Sequence, residues 1–164
     1  MTAFVFLSQL FRNSAGRRFE NISEQGGPYF RSAHAGRGAA VGDLDNDGAL
    51  DLVISHQNTR VTLLRNCRSN GNYVRLRLAG TQSESCAVGA VVRADFGDRR
   101  LTRYVRGGAG YFSHSDQRVM LPTIDLTPIR VTVSWPSGQR EVFSDVKPNQ
   151  TTTLIEGHGE PEAS

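Results

Sequence analysis

Four carboxylates crowd into nine residues, Asp43-Leu44-Asp45-Asn46-Asp47-Gly48-Ala49-Leu50-Asp51. The acids stand at positions 1, 3, 5 and 9 of this stretch and a glycine at position 6. A hard divalent cation wants several oxygen ligands at one point, and alternate residues of a tight loop turn inward to supply them. Gly48 allows the sharp bend, and the Ala49 carbonyl can add a further oxygen. Without a cation these carboxylates repel one another. The spacing predicts a Ca²⁺ site with side-chain ligands Asp43, Asp45, Asp47 and Asp51 and the backbone of Ala49. The competing reading is a polar Asp/Asn/Gly turn that merely joins two strands.

The flanks say what holds the loop. Gly36 to Gly42 leads in, and Leu50-Asp51-Leu52-Val53-Ile54-Ser55 leaves with strand-like alternation. A helical calcium hand would instead place the loop between two helices. Gly36, Gly38 and Gly42 loosely mimic a dinucleotide fingerprint, but the spacing is one residue too long and no helix follows. Small residues there would let neighbouring sheets approach closely.

The other chemistry is thinner. Ser113-His114-Ser115-Asp116 lists the residue types of a hydrolytic relay, but neighbours along a strand point to opposite faces. His34, His56 and His158 stand alone, and imidazole suits Ca²⁺ poorly. Cys67 and Cys86 cannot make a zinc site unaided, and they either bridge or stand free. No catalytic residue is assigned.

Length and composition set the frame. A chain of 164 residues with 38% hydrophobic residues and 17 glycines suits short strands and many turns. No run nears the ~18–20 apolar residues that span a bilayer. The apolar opening Met1-Thr2-Ala3-Phe4-Val5-Phe6-Leu7 lacks the basic start of a signal peptide. Either the protein stays inside the cell or a longer exported protein carries this sequence. The net charge of +3 is uneven: residues 57–118 hold 11 Arg against 4 acids, giving +7. Those arginines could attract a polyanion, yet they lack the interleaved aromatics of a single-strand nucleic-acid platform. A solvated strand face is the competing reading, and a nucleic-acid partner is not expected.

Along the chain, Leu10-Phe11-Arg12-Asn13 recurs as Leu63-Leu64-Arg65-Asn66, and such an interval marks repeat architectures. Arg18-Phe19-Glu20-Asn21-Ile22-Ser23 alternates as a half-buried strand does. Cys67 to Asn72 is a polar linker. Beyond it, Tyr73 to Leu78 alternates, with Val74, Leu76 and Leu78 facing a core and Arg75 and Arg77 facing out. Val88 to Phe96 and Arg99 to Arg106 read as a hairpin joined at Gly97-Asp98. Ile129 to Trp135, Glu141-Val142-Phe143 and Thr151 to Ile155 are further strands, with a type I turn at Trp135-Pro136-Ser137-Gly138. The expected organisation is a blade-like unit in residues 1–69, an antiparallel β-sandwich in residues 70–156, and a disordered tail in residues 157–164.

These motifs carry a resemblance. Leu10 to Asn13, Phe19 to Ile22, Gly42 to Gly48 and Leu50-Asp51-Leu52 make residues 10–66 similar to an FG-GAP or VCBS repeat, the blade unit of integrin-α-like β-propellers. Gly89-Ala90, Gly107 to Tyr111, Ser113 to Asp116, Val133 to Gly138 and Asn149-Gln150 make residues 72–156 resemble the ASPIC/UnbV domain that follows such repeats in cartilage acidic protein and its bacterial relatives. Val119-Met120-Leu121-Pro122-Thr123 stands where relatives carry a Phe-Gly-Leu-Gly-like stretch. The resemblance implies an all-β chain, a partial propeller blade and then a sandwich, from the C-terminal part of a larger exported protein with further blades upstream. Ca²⁺ would be structural, held by Asp43, Asp45, Asp47 and Asp51. The implied role is a non-enzymatic, extracellular or periplasmic module that meets another protein or an extracellular ligand. An accessory protein or enzyme of a bacterial biosynthetic pathway, and polyanion binding by the Arg-rich strands, are the alternatives.

Overall fold

A computed structural model describes residues 5–67, 71–97, 99–108 and 110–162. Among the described residues all regular structure is β apart from two short 3-10 turns at Ser23–Gln25 and Pro28–Arg31. The N-terminal region holds β1 (Phe6–Leu7), β2 (Phe11–Ser14), β3 (Arg18–Asn21), β4 (Ala33–His34), β5 (Gly36–Gly42), β6 (Asp51–His56) and β7 (Thr62–Leu64). The C-terminal region holds β8 (Asn72–Ala79), β9 (Val91–Asp95), β10 (Arg100–Tyr104), β11 (Val119–Thr123), β12 (Ile129–Ser134), β13 (Arg140–Val146), β14 (Thr151–Ile155) and β15 (Glu160–Pro161).

The main hydrophobic core lies in the C-terminal region, between a five-stranded sheet ordered β10-β9-β12-β13-β15 and a three-stranded sheet ordered β11-β8-β14. Period-two alternation sends Val74, Leu76 and Leu78 of β8 and Val119 and Leu121 of β11 inward from one sheet. Val92 and Ala94 of β9 and Val131 and Val133 of β12 meet them from the other. Each large side chain fully buried this way contributes ~1.5–3 kcal/mol. Val119 to Thr123 is a regular strand on β8, with Leu121 opposite Val74. The Trp135 carbonyl accepts the Gly138 N–H at 3.0 Å, which closes the expected turn.

The N-terminal region is thinner. It consists of the two-stranded sheet β1-β4, the hairpin β2-β3 nested between its strands in sequence, and the three-stranded sheet β5-β6-β7, and no sheet among the described residues closes into a barrel or propeller. Phe6, Leu7, Phe11, Phe19 and Leu63 are all more than half exposed or close to it. The alternation around Phe19 does produce β3, but the described residues leave Phe19 71% exposed rather than half-buried.

Three further expectations need correction. The C-terminal sheets are not wholly antiparallel, because β14 runs parallel to β8; 71 residues separate the two strands, ample for the crossover a parallel pair requires. Residues 157–162 are not a structureless tail: Glu160 and Pro161 pair with Val142 and Glu141 of β13, and the Glu162 N–H donates to the Arg140 carbonyl. Arg75 leaves the core as alternation demands, yet it is 4% exposed, because the acidic loop covers it. The β9–β10 hairpin forms as expected. Asp98 of its turn, Ala109 of the glycine loop and residues 68–70 of the linker lie outside the described residues.

Candidate metal centre

The acidic loop connects two paired strands. Gly42 at the end of β5 faces Asp51 at the start of β6, so the first and last acids of the motif come from facing strand ends. Asp43 and Asp51 are 1% and 3% exposed, while Asp45 and Asp47 stand on the exposed crown. Asn46 and Gly48 both adopt positive φ, at 62° and 88°, which bends the crown back over its base.

The loop's backbone N–H groups turn onto its own carboxylates. Gly48 donates to Asp43 Oδ2 at 3.0 Å, Ala49 to Asp47 Oδ1 at 2.7 Å, Asp47 to Asp45 Oδ1 at 3.3 Å, and Leu44 to Asp51 Oδ2 at 3.1 Å. Asn66, just beyond β7, donates to Asp51 Oδ1 at 2.8 Å. Carboxylate oxygens of Asp43, Asp45 and Asp51 lie within 4.8 Å of one another. Asp47 is outside that group. Its Oδ2 lies 3.5 Å from Arg65, which pairs with Asp45 at 2.5 Å. Asp45 first, with Asp47, raises the Arg65 pKa above its usual value. Ala49 lies buried at the loop's base, with its N–H committed to Asp47.

One atom stands out for ligand chemistry. Asp43 Oδ1 is buried and makes no hydrogen bond, although Oδ2 of the same carboxylate accepts from Gly48 and from Arg75 Nη1. A buried, unpaired carboxylate oxygen is costly unless something positive meets it. Charge points the same way. Four loop carboxylates face two guanidinium groups, Arg65 and Arg75, which leaves two negative charges. Arg118, also nearby, is matched by Asp116 at 2.6 Å. The donor set is oxygen throughout, and it suits a hard divalent cation. Asp43, Asp45 and Asp51 would hold it.

Sequence reasoning missed the residues that surround the loop. Tyr73 and Arg75 come from β8, and Arg118 from just before β11. Alternation along β8 shows which way Arg75 points but not what lies over it. Glycine spacing did signal close packing on β5, but a loop segment approaches there rather than a sheet. A Cβ at Gly38 would lie 2.8 Å from the Phe112 carbonyl, and one at Gly42 would lie 3.1 Å from Asp116 Cβ.

The Ser113–Asp116 segment fills that space and forms no relay. Ser113 donates to the Ala39 carbonyl at 2.8 Å, Ser115 Oγ accepts the Val41 N–H at 3.2 Å, and the Asp116 N–H donates to the Val41 carbonyl at 2.9 Å. Burial works to raise the Asp116 carboxyl, but bonds from Arg118 outweigh it and hold its pKa below the usual value. His56 lies between the Tyr29 hydroxyl and the Arg60 carbonyl, at 2.9 Å from each. Cys67 and Cys86 are free and exposed.

A second buried carboxylate, Glu156, differs from Asp43 in being saturated. Its Oε2 accepts N–H bonds from Thr81, Gln82 and Ser83 at 2.7–2.8 Å, and its Oε1 accepts from the Ser83 and Ser137 hydroxyls. Burial alone would raise its pKa, but these bonds outweigh it and bring it down to about 2. It pins the loop after β8 to the end of β14 and to the Trp135–Gly138 turn.

No curated protein matches the chain. Residues 80–161, half of its length, match the model of the family described as ASPIC and UnbV. The matched segment runs from the loop that clasps Glu156 to the last strand, β15, and leaves residues 10–66 outside it. This chain therefore belongs to the ASPIC and UnbV family.

Proposed function

We propose that this chain is a calcium-stabilised, non-enzymatic interaction module of an exported protein. In this reading residues 1–69 are a propeller-blade unit of the FG-GAP/VCBS kind, and residues 70–156 are a β-sandwich. The observation that carries it is Asp43 Oδ1, buried without a partner on a carboxylate that clusters with those of Asp45 and Asp51. The ion's part is structural: it ties the end of β5 to the start of β6. The exposed Phe6, Leu7, Phe11, Phe19 and Leu63 support a setting in which neighbouring blades cover the N-terminal region.

Thermal unfolding in 10 mM CaCl₂ against chelator tests the reading. With a Kd near the ~10⁻³ M of weak extracellular sites, the gain is about 1.4 kcal/mol, or a rise in Tm of ~3–6 °C. Asp43→Asn should abolish the rise. Identical wild-type curves in calcium and in chelator would remove the calcium assignment.

A second reading has its own observation. Arg93, Arg100, Arg130 and Arg140 project from four adjacent strands into one surface groove of about 340 Å³, with only Asp95 and Glu162 as acids. Asp95, Arg100 and Arg130 share one cross-strand row. Guanidinium forks at strand spacing suit the anionic groups of a linear polyanion. Retention on immobilised heparin that falls steeply with salt, and weakens in Arg93→Ala/Arg130→Ala, would support this; passage through the column at low salt excludes it.

A further inference from the structure

The acidic loop is enclosed by residues from the other half of the chain. Arg75 has a side chain only 5% exposed, and it divides its guanidinium between Asp43 Oδ2 and Thr151 Oγ1, the latter at 2.7 Å. Arg118 Nη2 donates to the Asp43 carbonyl and Nη1 to Asn46 Oδ1, each at 2.9 Å. The Tyr73 ring covers Gly48, and its hydroxyl donates to the Asn46 carbonyl at 3.5 Å. The backbone bend at Asn46 and Gly48 and the rotamer of Asp43 are thus set by β8 and by the segment before β11.

We infer that the metal centre is shared between the two halves. Arg75 and Arg118 are positioning residues that hold Asp43 and the loop in ligating shape, so cation binding and docking of the C-terminal sheets on the N-terminal region favour each other. The inference rests on the calcium reading above. A guanidinium beside a cation also repels it. Arg75 takes Oδ2 and leaves Oδ1 buried and unpaired, so a cation has an oxygen of Asp43 that the guanidinium does not occupy. The two negative charges left by Arg65 and Arg75 match one divalent ion, so the pair need not compete for charge. Partners that orient a ligating carboxylate are typically worth 10–100-fold in metal affinity. Linkage then requires that the bound ion strengthen docking by the same factor.

The test uses the intact chain and Ca²⁺ alone as ligand. Calorimetric titration should show Arg75→Gln weakened 10–100-fold and Arg118→Gln about 10-fold, with the folded signature of Trp135 retained. Hydrogen exchange of the Asp116 amide, which bonds β5 across the junction, should slow about 10-fold on adding Ca²⁺ to the wild type. That response should vanish in Arg75→Gln. If Arg75→Gln does not fold, Arg118→Gln and the Asp116 amide decide. Absence of Ca²⁺ binding to the wild type overturns the calcium reading and this inference together. Unchanged affinity in the variants, with an Asp116 amide indifferent to Ca²⁺, overturns the shared site and leaves the calcium reading standing.

Discussion

Trp135 donates its indole N–H to Glu141 Oε2 at 2.6 Å, and both residues are buried. The same carboxylate accepts the Gly157 N–H at 3.0–3.1 Å, so one side chain joins the start of β13 to both the turn before it and the segment after β14. Glu141→Leu leaves the buried Trp135 N–H without a partner and frees the exposed Gly157 N–H to water, and should cost ~1–3 kcal/mol. Trp135→Phe leaves the carboxylate only Gly157 and should cost less. A denaturant double-mutant cycle with Glu141→Gln should return a coupling of about 1 kcal/mol or more; zero coupling would mean the bond contributes nothing beyond packing.

Glu156 makes stability depend on acid. Its folded pKa, about 2, lies below the 4.5 of an unperturbed glutamate. The stability it contributes is therefore complete above pH ~4.5 and is lost as pH falls toward 2. Urea unfolding at pH 7 and pH 3 should show a larger drop for the wild type than for Glu156→Gln, which has no carboxylate to protonate. Parallel losses in the two proteins would contradict this.

Gly48 and Gly138 make a controlled pair. Both hold positive φ, 88° and 95°, but a Cβ at Gly48 would lie 2.2 Å from the Tyr73 ring, whereas one at Gly138 meets nothing within 4 Å. Gly138→Ala should cost only the left-handed backbone penalty of ~1–2 kcal/mol. Gly48→Ala adds overpacking and should reach ~2–4 kcal/mol. Equal midpoints in guanidinium would show that Tyr73 yields freely.

Cys67 and Cys86 should both react. Each is free and exposed, so a chromogenic disulfide reagent should titrate two thiols per folded chain without denaturant. Zero equivalents would indicate a bridge.

What the sequence disclosed follows from the range of the signals. Carboxylate spacing in Asp43–Asp51 and period-two alternation in β8 and β12 are local, and both are read directly from neighbours. The anchoring of the loop is not local. Asp43 and Arg75 are 32 residues apart and Glu156 and Thr81 are 75 apart, so neither pairing leaves a mark in any short window. Arg75 had the periodicity of a solvated arginine because alternation fixes a face and is silent about what covers it. β15 escaped notice because two residues are too few to show a period. Phe19 looked half-buried because its pattern matches a strand that has something to lie against.

The parallel pairing of β14 with β8 also governs when the protein can become itself. β8 lies at the centre of its sheet, yet one of its neighbours is residues 151–155. During synthesis that edge of β8 stays open, and Arg75 lacks the Thr151 hydroxyl that holds it, until the 71 residues between the two strands and β14 itself have left the ribosome. Over that interval the nascent chain must carry an unpaired strand edge, attractive to other strands. Folding dominated by so distant a contact is slow, and chaperone demand should be set by this late closure.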